Sequence, residues 1–213
     1  MENFQTKNDN IFLKSAVSVG KIVALVIIVC LIAWLWENLF FGGTAKTNRT
    51  IRFINSQKIT LDDVMGKNLP PVPDQKLNDS TIAGIDANKN NIRDDVELAI
   101  FKNYPNSAKI RAAELQYAQE TQMELGYIYS AETWMAVIKN KNNGISCLAD
   151  LAFGRYHDIK EQISKTQGWQ EEVVSLVFNT NIRQKERKRV EGYETAYVAG
   201  DGECNIPMGQ LDN

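Results

Sequence analysis

Fifteen consecutive residues without a charge, IVALVIIVCLIAWLW from Ile22 to Trp36, constrain this chain more than any other feature. Extension to Phe41 is interrupted only by Glu37 and Asn38. A helix of about 20 residues rises about 30 Å, the thickness of a bilayer core. Trp34, Trp36, Phe40 and Phe41 sit at one end, where an aromatic belt meets headgroups, and Lys14 and Lys21 flank the other, within snorkelling reach. The pattern predicts a transmembrane anchor over 22–41 behind a cytoplasmic tail over 1–21. A buried core helix is the alternative, and the length disfavours it. Small residues at Gly43–Ala45 offer a cleavage site, but bulky WENLFF precedes them, so the anchor is expected to stay uncleaved. Val29 before Cys30 is not the small residue of a lipoprotein signal.

Flanking charge does not orient the anchor. Lys7, Lys14 and Lys21 before it balance Lys46, Arg49 and Arg52 after it. The cysteines tip the reading. With Cys30 in the membrane, Cys147 and Cys204 remain as an even pair, which an oxidising compartment turns into a disulfide; two reduced thiols are the alternative. The expected location is therefore a single pass of an inner membrane with the C-terminal domain in the periplasm. The 24 basic and 26 acidic residues nearly cancel, so no global field points to nucleic acid or an acidic substrate.

Residues 42–81 read as a stalk. TIRFI (Thr50–Ile54) suggests a short strand, ITLDDVM one helical turn, and LPPVPD (Leu69–Asp74) a stiff extended spacer. The helical domain is expected over 82–213. Asp94 and Asp95 open a helix that turns Ile92, Val96, Ala99 and Ile100 to one side. Ser107 caps the next, from Ala108 to about Leu125, whose mixed stripe predicts partial burial. Another starts at SAET, and KNKNNG (Lys139–Gly144) reads as a turn. Ile145, Ala149, Ala152, Tyr156, Ile159 and Ile163 then mark one continuous helical face. Gly168 reads as punctuation before EEVVSLVF, with a possible break at NTN and a last helix anchored by Ile182, Tyr193 and Tyr197. No window alternates with period two. The expectation is an all-α fold, a compact bundle of about five helices after the anchor and stalk.

The stretch GIDANKNNIRDDVE, Gly84–Glu97, carries the chemistry. Counted from Asp86, oxygen-bearing side chains fall at positions one (Asp86), three (Asn88), five (Asn90), nine (Asp94) and twelve (Glu97), and the Ile92 carbonyl falls at seven. Calcium takes six to eight oxygens at about 2.3–2.6 Å, and a loop curling around it points alternate residues inward, with a late Glu bidentate. The alternative is an Asx-rich turn with a helix cap.

DANKNNIRDDVE resembles the EF-hand family of calcium loops, and its single exit helix makes it more similar to dockerin or thrombospondin type 3 repeats. The longer stretch LPPVP…TIAGIDANKNNIRDDVE also resembles a group of Gram-negative envelope proteins with no known activity, roughly over residues 69–206. Their loop usually carries Gly where this chain has Asn91. Asn tolerates a left-handed backbone better than most residues, so the turn is retained at some cost. Arg93 stands at position eight, where a paired EF-hand puts an apolar residue against its partner loop, and no second loop exists here. Asn at two ligand positions, with Lys89 and Arg93 nearby, lowers the site's negative charge. Weak, structural calcium binding is expected, on the order of 10⁻⁴–10⁻³ M.

Other chemistry has less to stand on. His157 reads as a solvated helix position, Cys147 is taken by the disulfide reading, and Glu114, Glu120 and Glu124 read as an exposed acidic face. No phosphate loop, nucleophile elbow or zinc motif occurs. The run Arg183, Lys185, Arg187, Lys188 and Arg189 is interleaved with Glu186 and Glu191, as on a solvated helix. The functional expectation is a membrane-anchored periplasmic interaction module that meets a protein partner and no nucleic acid; a periplasmic enzyme acting on an envelope substrate is the alternative.

Overall fold

Most helix starts in this chain are set by polar side chains. In the computed structural model, which describes residues 21, 23–36, 42–196 and 202–211, Thr60, Asp74, Ser107, Ser130, Asp158 and Thr180 each accept a backbone N–H from the helix that follows. These amides have no acceptor inside the helix, so the caps at Ser107 and Ser130 place their helices as expected. The fold is all-α, with no strand among the described residues. Its elements are α1 (residues 23–36), α2 (Gly42–Ser56), α3 (Leu61–Val64), α4 (Gln75–Asp79), α5 (Asp94–Asn103), α6 (Ala108–Gln122), α7 (Ala131–Arg155), α8 (Ile159–Val177) and α9 (Asn181–Glu191).

The chain divides into two units, Met1–Asn48 and Arg49–Asn213. In the first, the apolar side chains of α1 are exposed, Leu25 by 65% and Trp34 by 60%. No helix among the described residues is long and apolar enough to cross a membrane. Residues 22 and 37–41 of the span expected over 22–41, and residues 1–20 of the tail, lie outside the described residues.

The second unit is organised by α6, which packs against α3, α5, α7 and α8. One core gathers Ile92, Val96 and Ile100 with Ala113, Leu115, Leu148, Val173 and Val177. A smaller one joins Ile54, Met123, Ile128, Val137 and Val190. Cys147 of α7 and Cys204 form a disulfide with Cα atoms 4.8 Å apart. The C-terminal segment is thereby fixed to α7.

Several expectations give way to tertiary packing. Thr50–Ile54 is helical, not a strand, and residues 49–81 are not held apart as a stalk, because Ile54, Ile59, Val64 and Asn78 are buried in the second unit. LPPVPD lies outside any helix, and ITLDDVM does supply a helical turn, Leu61–Val64. KNKNNG lies inside α7. A Cβ at Gly144 would stand 2.2 Å from Glu120 Oε2 and 3.0 Å from Tyr117 Cα, so this glycine serves close approach to α6 rather than a turn. The continuous face over 145–163 breaks at Tyr156, where Asp158 accepts N–H groups from Lys160 and Glu161 and starts α8. Ile159 and Ile163 are consequently exposed, and Trp169, Val173 and Val177 face the core instead. Gly168 lies within α8. Arg183 and Val190 anchor α9, while Ile182 is 38% exposed; Tyr197 lies outside the described residues.

The largest departure is α6. Every residue from Ile110 to Thr121 is buried, charged ones included. Glu114, Glu120 and Glu124 are not an exposed acidic face. Glu120 accepts the Gly144 N–H, and Glu124 is ion-paired to Lys141. Three buried charged residues of mixed sign, Arg111, Glu114 and Glu120, conceal the helix's central position from a periodicity argument.

Candidate functional site

The loop begins where only glycine fits. Gly84 has φ +71°, and a Cβ there would stand 2.1 Å from Arg93 Cδ and 2.7 Å from Asn78 Oδ1. Asn78 Oδ1 accepts the Ile85 N–H at 2.9 Å and fixes the entry. Asp86 then turns the chain: its carboxylate accepts from Asn90 N at 3.2 Å and from Asn91 N at 3.0 Å. Asn91 adopts the left-handed backbone expected at position six, φ +62°, and Lys89 does the same at φ +60°.

The remaining ligand candidates converge on the first turn of α5. Asp94 Oδ1 accepts from Ala87 N at 2.9 Å. Glu97 Oε2 accepts from Asn88 Nδ2 at 2.9 Å and Asn90 Nδ2 at 3.1 Å. Asn90 Oδ1 accepts the Ile92 N–H, and Ile92 is fully buried. Asn88 also donates to the Asn68 carbonyl. Asp94 and Glu97 are both completely buried. Asn88 Oδ1, Asp94 Oδ2 and Glu97 Oε1 are enclosed with no hydrogen-bond partner.

Three enclosed acceptors between the loop and the first turn of α5 are costly, since an unsatisfied buried polar atom forfeits about 1–3 kcal/mol. Burial foremost pushes Glu97 up to about 7, beyond what the Asn88 and Asn90 hydrogen bonds offset, with Asp63 and Asp86 adding to it. Burial likewise raises Asp94, aided by the charges of Asp86 and Asp95 against the Ala87 N–H. Such a set, all hard oxygens, has the chemistry of a site for a hard cation. Among the described residues no three His, Cys, Asp or Glu side chains are gathered closely enough to hold a metal by themselves. The donor set depends on amide and backbone oxygens as well as carboxylates.

Neighbours that sequence patterning did not single out hold the loop. Gln119 of α6 donates Nε2 to the Asn90 carbonyl at 2.7 Å. Asn91 Nδ2 donates to Gln57 Oε1 at 2.6 Å, and Tyr127 donates its hydroxyl to Asn91 Oδ1 at 3.3 Å. Arg93, 1% exposed, pairs with Asp95 and donates to the Leu176 and Val177 carbonyls at the end of α8. A cation there satisfies carbonyls left open by the helix terminus. A cleft of about 280 Å³ beside the loop is lined by Gly84, Asp86, Asn91, Gln122 and Tyr127.

A second buried acid lies elsewhere on α6. Glu114 has no exposure, and neither of its oxygens meets a partner in geometry. Tyr104 is near enough to lower it somewhat but donates its hydroxyl to Glu172 at 2.6 Å. Burial, then the Glu172 charge, pushes Glu114 up to about 9. His157 is exposed in the α7–α8 connection. Of the basic run, Arg183 is fully buried and spent on Asp79, Asn179 and the carbonyls of Asn78, Thr81 and Ile82.

No family model, curated protein or solved structure matches the chain.

Proposed function

We propose that this chain is a membrane-anchored periplasmic interaction module whose bundle, chiefly α5–α9, is stiffened by a weakly bound structural calcium ion and by the Cys147–Cys204 disulfide. One observation carries the calcium reading. Asn88 Oδ1, Asp94 Oδ2 and Glu97 Oε1 are enclosed and unpartnered at three of the spaced ligand positions. Asp86, Asn90 and the Ile92 carbonyl complete the set. Calcium would supply the positive charge that lets Glu97 and Asp94 ionise; the Asn88 and Asn90 amides, which now donate to Glu97, would turn their oxygens inward.

An exposed apolar α1 supports the anchor, and the disulfide supports an oxidising compartment. The interaction role rests on a compact, disulfide-linked unit that follows the anchor in the chain. Calorimetric titration of the full chain with calcium tests the ion, beside Asp86→Ala and Glu97→Ala. Saturable binding lost in both variants supports the reading. No heat and no thermal shift at about ten millimolar, ten times the weakest range for such loops, overturns it.

A further inference from the structure

Gln116, Gln119 and Gln122 recur every third residue along α6, and each donates its amide to the backbone carbonyl of a different non-helical segment. Gln116 reaches Glu203 at 3.1 Å, Gln119 reaches Asn90 at 2.7 Å and Gln122 reaches Ala83 at 3.3 Å. Two of the three carbonyls belong to the loop or its entry. Gln119 is 1% exposed, and its Oε1 is enclosed without a partner. A buried amide with half its capacity unused is unfavourable, so the bond to Asn90 is the one return this side chain gives.

From this geometry we infer that Gln119, with Gln57 of the 57–59 segment as its counterpart, is a positioning residue for cation binding by the Asp86 loop, supplying the brace that a second loop would otherwise give. The inference rests on the calcium reading above. Gln119 holds the peptide between positions five and six, where the backbone enters the left-handed turn at Asn91. Gln57 accepts from the Asn91 side chain, and the Tyr127 hydroxyl contacts the same amide. The loop is thus tied both to α6 and to the chain following α2. Position eight, used elsewhere to pair loops, is free to send Arg93 to the end of α8. Side chains that orient metal ligands without touching the ion typically carry about 10–100-fold in affinity.

The test uses the full chain, stripped of metal with chelator and titrated with calcium chloride alone. Gln119→Leu keeps the size and removes the donor. Gln116→Leu, one helical turn away and equally buried, is the control for a merely structural loss. The expected result is calcium affinity at least about tenfold weaker in Gln119→Leu and unchanged in Gln116→Leu. The calcium-induced rise in melting temperature should shrink in the former and persist in the latter, whatever either does to the melting temperature in chelator. Gln57→Leu, at a half-buried position, should weaken calcium in the same direction and decides the matter if Gln119→Leu does not fold. Wild-type binding with undiminished affinity in both Gln119→Leu and Gln57→Leu overturns the brace and leaves the loop reading standing. No calcium binding by the wild type overturns the loop reading itself, and the brace with it.

Discussion

Gly144, in the middle of α7, donates its backbone N–H to the Glu120 carboxylate of α6 at 2.9 Å. Glu120 is held well above the ordinary carboxyl value by burial, against opposing hydrogen bonds from Gln116 and Gly144. The two helices approach so closely here because one of them lacks a side chain.

Gly144→Ala should therefore destabilise the protein even though alanine is the better helix former. The propensity gain is about 1 kcal/mol. Against it stand the 2.2 Å approach to Glu120 Oε2 and the 3.0 Å approach to Tyr117 Cα, of which the second cannot yield without moving backbone. Overpacking costs about 1–3 kcal/mol, so a modest net loss is expected. A urea midpoint at or above the wild-type value would show that α6 and α7 can part at no cost.

Replacing Arg183 with Met should cost roughly 3 kcal/mol. The guanidinium is fully buried and satisfies the carbonyls of Asn78, Thr81 and Ile82 together with Asp79. Its removal strands several buried acceptors at once. Equilibrium denaturation should show a lower midpoint with an unchanged slope; a loss below about 1 kcal/mol would mean that water reaches those carbonyls.

Acid should favour the cation-free fold. Glu97 and Glu114 have folded values near 7 and 9, above the ordinary 4.5, so each keeps in the folded chain a proton that the unfolded chain has released. This stabilisation is whole below 4.5, falls as pH rises through about 7 for Glu97 and about 9 for Glu114, and is gone above. Thermal melts in chelator should decline across that window. Glu97→Gln should flatten the lower limb and Glu114→Gln the upper one, while a wild-type profile flat between 5 and 9 contradicts the assignment of both groups.

Reduction should destabilise the unit through its unfolded state. Cys147 and Cys204 lie 57 positions apart, and releasing a loop of that size costs about 4 kcal/mol in the chain-entropy account. Melting with and without reductant measures it. Cys204→Ser should lower the melting temperature alike and become insensitive to reductant; equal melting temperatures in all three conditions would deny the cross-link a stabilising role.

Local signals in the sequence are legible where the physics is local. Ser107 and Ser130 cap the helices that follow them, the proline-rich residues 69–74 stay out of any helix, and Asn91 adopts a positive φ, because each depends on atoms within a few residues. Asp86 to Glu97 span the loop and the first turn of α5, and the two cysteines suggest the pairing that forms.

What the sequence could not decide was which surfaces meet. Lys139–Gly144 has the composition of a turn, yet it continues α7, where the glycine N–H meets Glu120 of α6. Glu114, Gln119 and Glu120 resemble solvated residues until distant segments enclose them, and their burial depends on partners that only the assembled fold supplies. The sequence by itself determined an apolar segment near its start, an all-helical body, the spacing of oxygen-bearing residues from Asp86 to Glu97 and a cysteine pair. Tertiary structure alone decided that α6 lies at the centre and that Gln119 and Gln57 hold the loop. Long-range packing supplies acceptors and excludes water at positions whose own side chains carry no trace of it.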